Sequence, residues 1–204
     1  MASYKQSVSW WCFVPALMTP EEFVRATAEI GYEAVELAPP EHFALIRDHG
    51  LKLATYRGHE PLEVGLNTRS NHDGIVRQIE EGIVLAEKWQ IPRLICFSGN
   101  RRGMDDETGL NNCVEGLKKI LPLAEQHGVV IQIEVFNSKV DHKDYMADNT
   151  PWTIELCRRI GSENFKILYD IYHMQINEGD VIRTIRDHHQ YFGHYHTAGV
   201  PGRH

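Results

Sequence analysis

Short apolar runs rich in β-branched residues alternate with helix-forming segments from one end of this 204-residue chain to the other. "SVSWWCF" reads as the first strand. Thr19, Pro20 and Glu22 then open a helix as N-cap, first-turn proline and capping-box partner, and Gly31 stops it. "AVELA" is strand two, "EHFALIRDHG" a short helix, and "LKLATY" strand three. A polar loop runs to about residue 70. Helices follow over 72–90 and 107–127, where Ile75, Ile79 and Ile83, then Val114, Leu117, Ile120, Leu121 and Ala124, recur at helical spacing. "RLICFSG" and "VVIQIEVF" are strands four and five. A polar loop leads to a helix from Pro151 to Gly161. "FKILYDI" is strand six, "GDVIRTIRDHHQ" a helix, and "YFGHYHTAG" strand seven.

Seven strands and six helices in strict alternation require a parallel sheet, since each crossover is a helix. A closed (β/α)8 barrel fits this order better than an open doubly wound sheet. No glycine-rich phosphate loop follows strand one, which weighs against a dinucleotide fold. A full barrel takes ~250 residues. The expectation is therefore one α/β domain over 1–204, a TIM barrel truncated after strand seven, without strand eight and the last helices.

Charge narrows the partners. The net charge is −7 and the basic residues are scattered, so no nucleic-acid footprint is expected. Apolar runs are too short to span a membrane, and "MASYKQSVSW" lacks a secretory apolar core, which points to the cytoplasm unless a leader has been trimmed. Cys12, Cys96, Cys113 and Cys157 lack metal or redox spacing and are expected as buried free thiols. Twelve histidines are many for this length and direct attention to polar chemistry.

A parallel barrel opens all its strand C-termini on one face, where its site is built. Strand five ends in Glu134, strand six in Asp170, and strand seven carries His196. Neighbouring strands lie ~4.8 Å apart, so these side chains can converge on one cation. Two carboxylates and an imidazole suit Mg²⁺ or Mn²⁺, and Zn²⁺ less exclusively. Singly, Glu134 also fits an internal ion pair, Asp170 a loop cap, and His196 a satisfied core histidine. As a set, they would share a desolvation cost that a common partner offsets.

His173 follows Asp170 by three and is expected to point into the mouth, toward a substrate hydroxyl or a loop hydrogen bond. His194 shares the side of His196, one layer deeper. Arg203 lies after strand seven as a carboxylate clamp or a surface residue. Glu36, at the end of strand two, faces the site or a structural arginine. His59 and Glu60 line the mouth or the surface, and His59 is counted among the substrate-binding candidates. Asn100, Arg101 and Arg102 contact an anion or form a solvated loop. One of Trp10 and Trp11 points inward, as core or as the floor of a sugar site.

"EVFN", "LYDIYHMQINEGD" and "GHYHTAGVPGRH", in this order and spacing, resemble the hydroxypyruvate isomerase branch of the xylose-isomerase-like barrels. The resemblance is clear from about residue 70 onward and loose before it. It implies a divalent metal and two glutamates that move protons on a hydroxycarbonyl compound through an enediol-type intermediate. Glu134 then corresponds to the first metal-binding acid/base glutamate, Asp170 and His196 to further ligands, and His173 and Arg203 to the substrate contacts. Hydroxypyruvate isomerases tend to carry Gln where His196 stands, and ketose epimerases carry His. The family's second glutamate ends strand eight, beyond the last strand read here. The resemblance therefore implies an isomerase of small hydroxycarbonyl or sugar substrates. The edges of strands one and seven, left open without strand eight, are expected to recruit a second copy, giving a homo-oligomer. A ketose 3-epimerase or keto-polyol dehydratase is the alternative, and an inactive barrel that binds only metal or ligand is the alternative of another class.

Overall fold

The computed structural model describes residues 4–203. Strands and helices alternate as expected: β1 (Ser7–Ser9), α1 (Pro20–Ile30), β2 (Ala34–Glu36), α2 (Phe43–Asp48), β3 (Lys52–Leu53), β4 (Tyr56–Arg57), α3 (His72–Trp89), β5 (Arg93–Cys96), α4 (Asp106–Gln126), β6 (Val130–Glu134), α5 (Thr150–Ile160), β7 (Phe165–Asp170), α6 (Ile171–Asn177), α7 (Val181–His188) and β8 (Phe192–His196). All strand pairs are parallel. β3 and β4 are two ends of the single strand read as "LKLATY". The first pairs with β2 and the second with β5, so the sheet is hydrogen-bonded in two parts, β1–β2–β3 and β4 through β8. Among the described residues no strand pairs with the outer edges of β1 and β8.

Local signals set these elements. Thr19 and Glu22 form the full capping box of α1, and Gly31 ends the helix at φ 97°, a left-handed position glycine takes without steric cost. Asp105 caps α4 by accepting from Thr108 N at 2.9 Å, and Asn149 caps α5 by accepting from Trp152 N at 2.9 Å. Helices pack around the strands in sequence, α3 on α4 and α4 on α5. Alternate strand residues face them: Ile131, Ile133, Phe165 and Ile167 are buried on the helix side. Residues of the opposite parity, Glu134, Asp170 and His196, meet inside the barrel.

Three expectations change. "SVSWWCF" is a strand only to Ser9, and Trp10–Cys12 form a 3₁₀ turn. Trp10 is buried between Phe23 and His42 and belongs to the core, whereas Trp11 is exposed. Cys12 is exposed on that turn, while the thiols of Cys96, Cys113 and Cys157 are buried, and all four are free. The strand "FKILYDI" stops at Asp170, and a seventh helix, α6, starts at the next residue. No helix among the described residues is long and apolar enough to cross a membrane.

Candidate metal and active site

Parallel register aligns the ends of β6, β7 and β8. Glu134 lies opposite Leu168, and Asp170 opposite His196. One ligand atom each from Glu134, Asp170 and His196 lies within 4.8 Å of the others. His196 Nδ1 is 3.1 Å from Glu134 Oε1 and 4.0 Å from Asp170 Oδ2. Glu134 and Asp170 are buried. Burial, then the negative charge of Glu134, pushes the Asp170 carboxyl up to about 6. Two carboxylates this close in a buried site repel unless a positive charge sits between them.

The other nitrogen of His196, Nε2, faces Glu36 Oε2 at 2.8 Å. Glu36 reaches across from β2, is buried, and also accepts from His194 Nε2 at 3.0 Å, Thr55 Oγ1 at 3.0 Å and the Ser7 hydroxyl. Glu36 thus faces the site, and its partners are histidines rather than an arginine. Burial raises its carboxyl, but the bonds from His194 and His196 outweigh this and hold it well below the usual range. Burial likewise lowers the His196 ring, while its bonds to Glu134 and Glu36 carry it well above the usual histidine value. A carboxylate on each side makes His196 an imidazolium. The same geometry suits a cation: Nδ1 gives up its proton toward Glu134 and Asp170, and Nε2–H keeps donating to Glu36. Such carboxylate–histidine pairs orient metal-ligating rings and raise their basicity. The donor set, two carboxylates and one imidazole, fits Mn²⁺ or Mg²⁺.

His173 stands in the first turn of α6, because Asp170 caps that helix by accepting from His173 N at 3.1 Å. It is fully buried among Phe136, His142 and Tyr172, not open in the mouth as the sequence led us to expect. Its Nε2 has no hydrogen-bond partner among the described residues and lies 3.8 Å from Asp170 Oδ2. Burial, then the positive charge of Arg203, lowers this ring to about 3, so it is neutral. Arg203 is exposed, with its guanidinium 4.8 Å from the Tyr172 ring centre and 5.7 Å from that of Trp11.

His59 is buried and accepts from Phe97 N at 2.9 Å through Nε2, leaving Nδ1 without a partner among the described residues. Burial lowers its ring to about 4. Glu60 is exposed and pairs with Arg57. Arg101 is tied to Asp106 and Asp148.

Two participants escaped the sequence reading. Tyr145, in the loop after β6, is fully buried; its hydroxyl donates to Glu134 O at 3.0 Å and accepts from Ser98 N at 3.0 Å. Asn137 contacts His173. Asn137 stands in "EVFN", so the motif held the signal, whereas Tyr145 has no periodic context that would mark it.

Known proteins share this architecture and parts of the sequence. The Mus musculus protein named "Putative hydroxypyruvate isomerase" is 26% identical over 216 residues, covering 98% of this chain and 77% of that protein. A 2-oxo-tetronate isomerase of Pectobacterium atrosepticum is 25% identical over 192 residues, covering 88% and 73%. Among solved structures, an AP endonuclease, family 2, from Brucella melitensis superposes with a TM-score of 0.81 at 19% identity, covering 97% of this chain and 81% of that one. D-psicose 3-epimerase of Clostridium cellulolyticum superposes with a TM-score of 0.72 at 17% identity, covering 98% and 76%. The family described as Xylose isomerase-like TIM barrel matches residues 24–204. With that match over most of its length, on a parallel barrel of this kind, the chain belongs to the xylose isomerase-like TIM barrel family.

Proposed function

We propose that this chain is a divalent-metal-dependent isomerase of small hydroxycarbonyl or sugar compounds, with Glu134, Asp170 and His196 as its metal ligands. The observation that carries this reading is the convergence of two buried carboxylates and a partly buried imidazole from the ends of three successive strands. Isomerase chemistry is also what the names of the mouse and Pectobacterium relatives share.

Hydrogen α to a carbonyl is weakly acidic, and a bound Mn²⁺ or Mg²⁺ would polarise the neighbouring carbonyl and hydroxyl oxygens. Glu134 removes the proton from the carbon bearing the hydroxyl and returns it to the adjacent carbonyl carbon, while the hydroxyl proton passes to the former carbonyl oxygen, so that the carbonyl moves by one position. His173, neutral and buried, offers Nε2 toward the same space, where its N–H binds a substrate oxygen. Arg203, held against Tyr172 and Trp11, supplies a positive charge at the rim for a carboxylate or an outer hydroxyl. His59, whose Nδ1 has no partner among the described residues, is assigned to the substrate wall. Isomerisation needs a single base on one face of the substrate. A 3-epimerase needs a second group on the opposite face. His196 in the third ligand position and the D-psicose 3-epimerase neighbour favour that second reading.

The test is direct. Chelator-treated protein is titrated with Mn²⁺, Mg²⁺ and Zn²⁺ by calorimetry, then assayed with hydroxypyruvate, 2-oxo-tetronate and D-psicose. Binding of Mn²⁺ or Mg²⁺ with metal-dependent turnover of one of these is expected. Equal metal binding by wild type and Asp170→Asn would refute the ligand set, and metal binding without turnover of any of the three would refute the substrate class.

A further inference from the structure

The orientation of the Asn137 amide is fixed by the backbone around it. Its Oδ1 accepts from Val140 N at 3.1 Å and Asp141 N at 2.9 Å. Two N–H donors require an oxygen there, so the nitrogen, Nδ2, is on the other side. One Nδ2 proton goes to Asp141 Oδ2 at 2.7 Å. The second points at His173 Nδ1, also at 2.7 Å. Asp141 is itself anchored, accepting from the Tyr172 hydroxyl at 2.9 Å.

An amide nitrogen only donates. Facing it, His173 Nδ1 must be the lone-pair nitrogen, so the ring proton of neutral His173 sits on Nε2. That nitrogen has no partner among the described residues, and the ring is fully buried. A buried N–H without an acceptor is unfavourable, because it gives up its hydrogen bond to water and gains none in return. The chain thus maintains an unmet donor on the side of His173 that faces Asp170.

We infer that Asn137 is a positioning residue that holds His173 as its Nε2–H tautomer, so that this N–H is presented to an oxygen of the bound hydroxycarbonyl substrate. The inference rests on the isomerase reading for its substrate, but the tautomer itself is a property of the resting protein. An N–H already aimed where negative charge develops needs no reorganisation during reaction. The opposite tautomer would place a lone pair there and repel the same oxygen.

Asn137→Asp is the sharpest probe. It is nearly isosteric, and its carboxylate still accepts from Val140 N and Asp141 N. Its second oxygen replaces a donor with an acceptor, so His173 must carry a proton on Nδ1. Because that oxygen also meets Asp141, the double variant Asn137→Asp/Asp141→Asn removes the charge repulsion. Its new amide at 141 accepts from Tyr172 and donates to the carboxylate at 137, leaving the His173 exchange intact.

The measurement is long-range ¹H–¹⁵N correlation on ¹⁵N-histidine-labelled protein, with His173→Gln used to assign the His173 signals. Wild type should show a protonated Nε2 and a bare Nδ1. Both Asp variants should show a protonated Nδ1. On whichever substrate wild type turns over, kcat should fall about 10²-fold, the scale of losing one preorganised donor. KM should stay within about threefold, the pattern of an interaction made in the transition state. Folding midpoint and Mn²⁺ affinity should stay near wild type. A proton on Nδ1 of wild-type His173, or a tautomer unchanged in both variants, overturns the inference whatever the activity. Exchanged tautomers with unchanged kcat overturn the role while leaving the geometry. If wild type turns over none of the substrates, the isomerase reading fails and the tautomer result is read on its own.

Discussion

His196 has two ring nitrogens, and three carboxylates lie within 4.0 Å of them, those of Glu36, Glu134 and Asp170. One imidazolium cannot compensate three negative charges, and Asp170 shows the consequence. Its carboxyl is raised to about 6 by burial and by Glu134. An unfolded aspartate titrates near ~4. The sign follows from proton linkage: the folded state binds this proton more tightly. Stability from this group is therefore complete below ~4 and is lost as pH rises through 6, by on the order of 2–3 kcal/mol. Asp170→Asn should relieve that cost in metal-free protein. The amide oxygen still accepts from His173 N, so the start of α6 survives. Calorimetric melting of chelator-treated protein should give the variant the higher midpoint at pH 8, with the two converging at pH 4.5. The same substitution should weaken Mn²⁺ binding strongly. A variant less stable than wild type at both pH values would show that repulsion at Asp170 does not govern this site.

At the scale of elements, the loop joining β6 to α5 does more than connect them. Its Tyr145 pairs as an isolated antiparallel bridge with Asn100 and joins the ends of β5 and β6 through one hydroxyl, which accepts from Ser98 N and donates to Glu134 O. Tyr145→Phe would leave that buried N–H and C=O unmet, at about 1–3 kcal/mol. The expected result is a lower unfolding midpoint and weaker Mn²⁺ binding together, because the backbone that carries Glu134 loses its tie. Unchanged metal affinity in a destabilised Tyr145→Phe protein would confine the tyrosine to folding.

The sequence made the long elements legible and not this loop. Apolar spacing over 72–90 and 107–127 spans several turns and marks α3 and α4 with ends within a residue or two. The strand ends carrying Glu134, Asp170 and His196 were legible because parallel topology puts them on one face. α6 was not. Seven residues are too few for a helical period to show, and the Asp170 that ends β7 is also the cap that starts α6. That double role is why His173 is buried in a helix and not exposed beyond a strand. Tyr145 and the Asn137–His173 contact depend on tertiary approach, which no period encodes.

For the whole molecule, Glu36 joins parts of the barrel that the backbone leaves apart. β1, β2 and β3 form one hydrogen-bonded part and β4 through β8 the other. Glu36 on β2 binds His194 and His196 on β8, across the space between the edges of β1 and β8 that no strand pairs among the described residues. A cavity of 630 Å³, lined by Ser7, Lys52, Arg93 and His194 among others, extends from there. A cation held by β6, β7 and β8 would therefore be coupled through His196 to β2. At 100 times its dissociation constant, a ligand specific for the folded state adds about 2.7 kcal/mol. For a domain of this size that raises the unfolding midpoint by roughly 5–10 °C. Saturating Mn²⁺ should produce such a shift, reversed by chelator. Glu36→Gln removes the carboxylate that orients His196 and keeps its Nε2 protonated, a change that typically costs about 10–100-fold in metal affinity. At the Mn²⁺ concentration that gives wild type its full shift, the variant should show a clearly smaller one, and restore it when Mn²⁺ is raised about 10–100-fold. Differential scanning across a Mn²⁺ series measures both. Identical midpoint curves for wild type and Glu36→Gln would mean that Glu36 links the two parts of the sheet without tuning the metal site.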